Sequence, residues 1–235
     1  MVTSGRDISK ASAGLQDFIL HLDVDAVGIV SLDDGKGTNL EESAKKLLPT
    51  ARSVVVLATE VYPEILALSS TERIRGALSL NDLVNNHTDY VNGLSTKAAN
   101  DVARASRRAG LKAIPLPARG CPLDARFLEA VLSYKQAAQS AGLGYIGRSG
   151  LLITPEFGPR VRLAVCLTEA VLKPTIAEYD NECLSCHICI DSCPSGALAE
   201  PSGGEPYTIN KFACQSFRNA SGGCSECMRI CPAGQ

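Results

Sequence analysis

Eight of the chain's ten cysteines fall between residues 183 and 231, and only Cys121 and Cys166 precede them. They form two runs, Cys183-x2-Cys186-x2-Cys189-x3-Cys193-Pro194 and Cys214-x9-Cys224-x2-Cys227-x3-Cys231-Pro232. Disulfide frameworks staple small secreted domains that lack a core. Here most of the 235 residues are Cys-poor, and Met1 to Asp7 carry no apolar run of a signal peptide. Disulfides are therefore the weaker reading.

The first run has the spacing of bacterial ferredoxins, in which the fourth Cys ligates the other cluster. Three closely spaced thiolates wrap one cube within a tight loop, so the fourth ligand comes from outside that loop. The spacing predicts one [4Fe-4S] cluster on Cys183, Cys186, Cys189 and Cys231. It predicts a second on Cys193, Cys214, Cys224 and Cys227, where the nine-residue gap after Cys214 departs from the compact pattern. The alternative is a pair of zinc sites, since repeated C-x2-C motifs also make zinc ribbons. Zinc needs neither the third Cys of the first run nor the two Cys-Pro endings. Cys121 and Cys166 read as small buried hydrophobes. His187 reads as a loop residue, because thiolates already complete the ligand set, and His21 and His87 read as packed helix residues.

The rest of the chain reads as one mixed unit of helices and strands. Apolar residues recur at helical spacing over Ile8–Leu22, Leu40–Leu48, Asn81–Ala109 and Asp124–Ser140. Ala26–Leu32, Ser53–Ala58 and Lys112–Leu116 read as strands. Leu151–Thr154 and Val161–Leu167 read as a hairpin around Pro155-Glu-Phe-Gly158. The domain boundary is placed in Leu172–Asp180, giving domains 1–175 and 176–235. After it, Cys, Gly, Pro and Ser dominate, and a bound group must supply what the side chains cannot bury.

Charge and hydropathy exclude some roles. A formal net charge of −2 argues against nucleic-acid binding. Arg104, Arg107, Arg108 and Lys112 form the one basic group, read as a solvated helix end. No apolar run reaches the roughly 18–20 residues of a membrane span, and reducing, low-potential clusters suit a cytoplasmic location.

Gly142-Leu-Gly144-Tyr-Ile-Gly147 matches the G-x-G-x-x-G pattern. The dinucleotide fingerprint needs a strand before it and a helix after it. Here a helix precedes and a strand follows, so a dinucleotide site is rejected. The remaining readings are a plain helix-to-strand turn, or a bare backbone that lets a flat cofactor come close. In the second case Gly142, Gly144, Tyr145, Gly147, Arg148 and Ser149 are the cofactor-binding candidates.

The stretch Ser133-Tyr-Lys-Gln-Ala-Ala-Gln-Ser-Ala-Gly-Leu-Gly-Tyr-Ile-Gly-Arg148, the segment Leu151–Arg160 and the two Cys runs resemble the epoxyqueuosine reductase family over Leu111–Pro232. Reductive dehalogenases are more distant relatives. The resemblance implies an α+β fold. A nitroreductase-like mixed sheet with helices would hold a corrinoid (cobalamin or a relative), and a small bacterial ferredoxin-like two-cluster domain would follow. The family's acidic residues just before the Gly-rich segment align with Leu128 and Tyr134 here. The helical module that follows the clusters in the tRNA-acting enzymes lies outside this sequence. A short divergent member, not an enzyme of epoxyqueuosine itself, is expected.

Two functions follow. In the first, an electron-donor protein or reductant feeds the clusters, which pass electrons to a corrinoid or substrate on the N-terminal domain. No catalytic residue is assigned, although Tyr134 and Tyr145 lie in the stretch where a proton donor would sit. In the second, the protein is an electron carrier or partner-docking ferredoxin-type protein with no corrinoid and no turnover of its own.

Overall fold

Ser53-Val-Val-Val-Leu-Ala58 is short, β-branched and apolar on both sides, the pattern of a strand covered on both faces. In the computed structural model, which describes residues 8–33, 38–69, 78–201 and 203–234, this run extends to Glu60 and lies inside the main sheet. Met1 to Asp7 lie outside the described residues.

The elements follow in chain order. Helix α1 is Ile8–Leu20, β1 is Ala26–Ser31, α2 is Asn39–Leu47, β2 is Ser53–Glu60 and α3 is Pro63–Ala67. Then come the long helix α4 (Leu78–Arg108), β3 (Ala113–Leu116), β4 (Leu123–Asp124), β5 (Glu129–Ala130) and α5 (Tyr134–Ser140). After these, β6 is Tyr145–Ile146, β7 is Leu152–Ile153 and β8 is Val161–Thr168. The Cys-rich region holds α6 (Ile188–Asp191), β9 (Leu198–Ala199), β10 (Thr208–Ile209), α7 (Lys211–Ala220) and α8 (Glu226–Arg229).

The main sheet has strand order β1-β2-β8-β3. Every pairing in it is antiparallel, where a mixed sheet was expected. Alternation along the central strands sends side chains into two apolar layers. Val55, Leu57, Ala164 and Cys166 pack with Leu15 and Ile19 of α1 and with Ala99 and Val102 of α4. Val54, Val56, Val165 and Leu167 pack with Ala44 of α2 and Ala137, Ala138 and Ala141 of α5. Each fully buried Val or Leu contributes roughly 1.5–3 kcal/mol, so the two layers account for an independently stable unit. Among the described residues, no helix is long and apolar enough to cross a membrane.

Two expected elements differ. The pattern over Asp124–Ser140 resolves into a β4–β5 hairpin and the short α5. Leu128 closes that hairpin with φ of 48°, and Val131 N–H donates to the Pro122 carbonyl at 2.9 Å. Leu152–Ile153 pairs with Tyr145–Ile146, not with β8. β8 instead takes the centre of the sheet, between β2 and β3. Gly93, a suspected break, lies within continuous α4.

The segment after β8 belongs to this unit. Buried Ser53 Oγ donates to the Ala170 carbonyl at 2.8 Å and accepts from Leu172 N–H at 3.1 Å. Thr175 N–H donates to the Ile29 carbonyl at 3.0 Å, and Ile29 N–H donates to Thr175 Oγ1 at 2.8 Å. Removing the Ser53 hydroxyl leaves two buried partners unsatisfied, each costing about 1–3 kcal/mol. Ser53→Ala is expected to lower stability by roughly 2–6 kcal/mol in urea titration, and an unchanged midpoint would remove this link. The Cys-rich region is different. Beyond residue 180 the buried apolar side chains, among the described residues, are Ala197, Leu198 and Met228.

Candidate functional site

Short helical turns set the cysteines. Asn181 Oδ1 accepts from Cys183 N–H at 3.0 Å, and Cys186 N–H donates to the Cys183 carbonyl at 3.1 Å. His187 starts α6, and Cys193 N–H closes it onto the Ile190 carbonyl at 3.2 Å. In the second run Asn210 caps α7, accepting from Ala213 N–H at 3.0 Å, and Cys214 follows one turn on.

The thiols feel one another in two sets. Burial pushes Cys189 up to about 11, with the charges of Cys183, Cys186 and Cys231 adding to it. Cys231 is raised by burial and by Cys183 and Cys186, against the Ala233 backbone and Arg160. Burial pushes Cys227 up to about 12, with Cys224, Cys189, Cys214 and Cys193 adding. Cys214 is raised by burial and by Cys224 and Cys193, against Arg218. Cys193 alone goes down. Burial acts against this, and hydrogen bonds from Ser195 and from the backbone at Leu198, Ser195 and Ala197 outweigh it. Cys189 and Cys231 thus lie within electrostatic reach of Cys183 and Cys186, and Cys214 and Cys227 within reach of Cys193 and Cys224. Cys227 and Cys189 mark where the sets approach. Among the described residues, no three His, Cys, Asp or Glu side chains gather closely enough for a single metal ion.

The Gly-rich segment lies against the first set. A Cβ on Gly147 would stand 3.0 Å from Cys183 Sγ and 2.8 Å from Ile153 Cγ1. At Gly142 it would meet the Ala177 backbone nitrogen at 2.5 Å, and at Gly144, with φ of 152°, the Ile153 carbonyl oxygen at 2.0 Å. The space the glycines leave is filled by the chain itself. Tyr145 pairs with Ile153 in the β6–β7 hairpin. Ser149 is buried, and its Oγ accepts from Leu151 N–H at 3.4 Å. Arg148 donates to Glu200 at 2.7 Å and lies 3.1 Å from His187 Nδ1, which is also hydrogen-bonded to Glu200. Of the six residues, Gly147 and Arg148 lie against the first cysteine loop. On the side where a Cβ would project, Gly142, Gly144 and Gly147 face protein. The inverted order around the motif, α5 before it and a strand after it, is as expected.

A cleft opens beside Cys224, lined by residues that carry no local motif. A cavity of about 330 Å³ is lined by Leu132, Tyr134, Leu151 and Val161 among others. A second, of about 740 Å³, is lined by Asn92, Arg119, Gln215, Arg218 and Cys224 among others. Ala118, Cys121 and Arg162 line both. Tyr134 hydroxyl donates to the Pro117 carbonyl at 3.0 Å, and burial, then Cys121, pushes its pKa well above the ordinary phenol range. Cys121 is only half-buried and borders the cleft, unlike the packed residue expected. Cys166 is fully buried and its thiol is pushed up by burial, as a packing residue should be. His87 accepts from Tyr62 N–H at 3.2 Å, and exposed His21 contacts the Asp17 carbonyl at 2.7 Å.

No family model matches the chain. It is 25% identical to the epoxyqueuosine reductase of Staphylococcus aureus over 268 aligned positions, covering 96% of this chain and 65% of that protein. It is 37% identical to a tetrachloroethene reductive dehalogenase of Desulfitobacterium hafniense over 114 residues, 40% of this chain and 21% of that one. The chain thus spans less than two thirds of these curated relatives. A solved reductive dehalogenase, described as working by B12-dependent dehalogenation, superposes with a TM-score of 0.72 at 18% identity, covering 100% of this chain and 34% of that one. That match shows a shared fold. In sequence the chain is thus similar to epoxyqueuosine reductases and, over a shorter stretch, to reductive dehalogenases, and it shares the fold of the solved reductive dehalogenase.

Proposed function

We propose that the protein is an iron–sulfur redox protein. In this reading Cys183, Cys186, Cys189 and Cys231 hold one [4Fe-4S] cluster, and Cys193, Cys214, Cys224 and Cys227 hold the other. What supports this reading is the ferredoxin spacing of the first run together with the reach of charge across the two runs, from Cys231 to Cys183 and Cys186 and from Cys214 to Cys224 and Cys193. A cube spaces its four thiolates more widely than one tetrahedral zinc ion does, which agrees with the absence of a single-ion site among the described residues. Hydrogen bonds onto Cys193 sulfur are the kind that tune such clusters. The ferredoxin-like domain 176–235 is the unit built around them.

When bound, the clusters supply one-electron storage. The chain's own residues do the rest. Gly147 lets Ile153 and Cys183 close together, Arg148 and Glu200 fix His187 beside the first loop, and the cleft beside Cys224 gives an electron acceptor a place to sit. A corrinoid is the acceptor class we infer from the relatives, and the cleft, not the Gly-rich turn, is where space for it exists. Tyr134, protonated and anchored on Pro117, holds its hydroxyl at the apolar wall of that cleft. A carrier role without corrinoid is the second reading, favoured by the filled space around Gly142, Gly144 and Gly147.

Anaerobic reconstitution of the full chain with iron and sulfide tests the first claim. About eight irons per chain are expected, falling by about half in Cys183→Ser; a colourless chain carrying zinc would sink it. Titration of the reconstituted protein with cobalamin then separates the readings. A retained corrinoid reducible to its cobalt(II) form excludes the plain carrier, and the absence of any spectral change excludes corrinoid binding.

A further inference from the structure

Arginines flank both cysteine sets, and they are balanced differently. Beside the first set, Arg148 is paired with Glu200 at 2.7 Å and Arg160 with Glu60 at 3.9 Å. Beside the second set stand Arg162 and Arg218. Nε of Arg160 and Nε of Arg162 are both buried without a hydrogen bond, but among the described residues Arg160 faces a carboxylate whereas neither Arg162 nor Arg218 has an ion-pair partner. The nearby carboxylate of Asp89 is engaged by Arg119 at 2.5 Å. Arg162 reaches the site from β8. Arg218 follows Cys214 by four residues on α7 and so shares its face. Both line the larger cavity together with Cys224. The two guanidiniums act on each other as like charges, with Cys227 and Asp89 opposing.

A half-buried cation without a counter-charge is costly, and one that stands between two other groups is explained by a charge one of them carries. A four-thiolate cluster is anionic and gains a further negative charge on reduction. Unbalanced positive charge next to it, together with hydrogen bonds onto Cys193 sulfur, favours the reduced form. The first set lacks that surplus, since each of its arginines already faces a carboxylate.

We propose that Arg162, assisted by Arg218, is the counter-charge of the second cluster and makes it the more easily reduced of the two. This gives electron flow a direction. A low-potential one-electron donor reduces the first cluster. That cluster is reoxidised as the second takes up the same electron, which then rests beside the cleft. Arg162 is a positioning residue in this scheme. The inference rests on the two-cluster reading above.

The test is a potentiometric titration, followed by electron paramagnetic resonance, of the reconstituted full chain and its variants. Cys183→Ser identifies the signal of the second cluster, expected at the higher potential. Arg162→Gln should lower the reduced-to-oxidised ratio of that cluster about tenfold at a fixed potential, about 59 mV for one electron. The first cluster should move far less. Arg162→Lys should recover most of the shift. Arg218→Gln, on an exposed position, should give a smaller shift of the same sign, and it carries the test if Arg162→Gln does not fold. A second-cluster midpoint unmoved in these variants, or both clusters moving equally, overturns the proposal. Iron is counted on the same samples. A wild-type chain without iron overturns the cluster reading itself, whereas full iron with unmoved midpoints overturns only the role of Arg162.

Discussion

Stripping iron from the anaerobic protein is expected to unfold the Cys-rich region while the four-stranded sheet stays folded. The reason lies in where apolar surface is buried. β2 and β8 are sandwiched between two apolar layers contributed by α1, α2, α4 and α5. Beyond residue 180 the described chain buries only Ala197, Leu198 and Met228. Ordering each residue costs about 1–2 kcal/mol of backbone entropy, which three side chains cannot offset. In the proposed reading metal ligation offsets the deficit, as in small metal domains where binding and folding are one process. Hydrogen exchange read by mass spectrometry provides the measurement. Amides of Cys183–Cys193 and α7 should lose protection on chelation, and those of Ser53–Glu60 and Val161–Thr168 should keep it. Protection unchanged in the Cys-rich region would show that the region folds without metal.

The second large effect is expected at Gly158. Its φ is +55°, and a Cβ there would stand 2.0 Å from the Ala233 carbonyl oxygen. The same terminal segment is held by Arg160, which donates to the Ala233 carbonyl at 3.3 Å and to that of Gly234. Ala233 lies two residues after Cys231, which in the proposed reading completes the first cluster. Gly158→Ala adds about 1–3 kcal/mol of backbone strain, and the clash with a backbone oxygen cannot be relieved by a rotamer change. The terminal segment has to leave, and Cys231 with it. Reconstituted Gly158→Ala should therefore hold about half the iron of the parent, with the first-cluster signal lost. Full iron content and an unchanged melting temperature would falsify the claim that this contact seats Cys231.

The sequence was most informative where chemistry is local. The expected grouping of Cys231 with the first run and Cys193 with the second rests on the reach of a short loop. The strand at Ser53 follows from a continuous β-branched run, and the strand at Val161 from the alternation of Val161, Leu163, Val165 and Leu167. What was not legible was which segment lies opposite which. Gly142, Gly144 and Gly147 signal close approach, but the sequence does not say that Ala177, Ile153 and Cys183 are what approach. The apolar spacing of Asp124–Ser140 fits a helix, yet Pro122 and the left-handed Leu128 turn its first half into a hairpin. Arg162 was visible as a charge within a buried strand. Its meaning appears only when α7 brings Arg218 and Cys214 beside it.

The two outer strands of the main sheet are both closed to strand addition. On one side Thr175 engages both the amide and the carbonyl of Ile29 in β1, occupying bonding positions that an incoming chain would use. On the other, β3 places Pro115, which has no N–H, opposite Cys166. Both safeguards lie in the sheet, outside the Cys-rich region. In the proposed iron–sulfur reading, a newly made chain without iron is therefore expected to carry a sheet already protected from edge-to-edge aggregation.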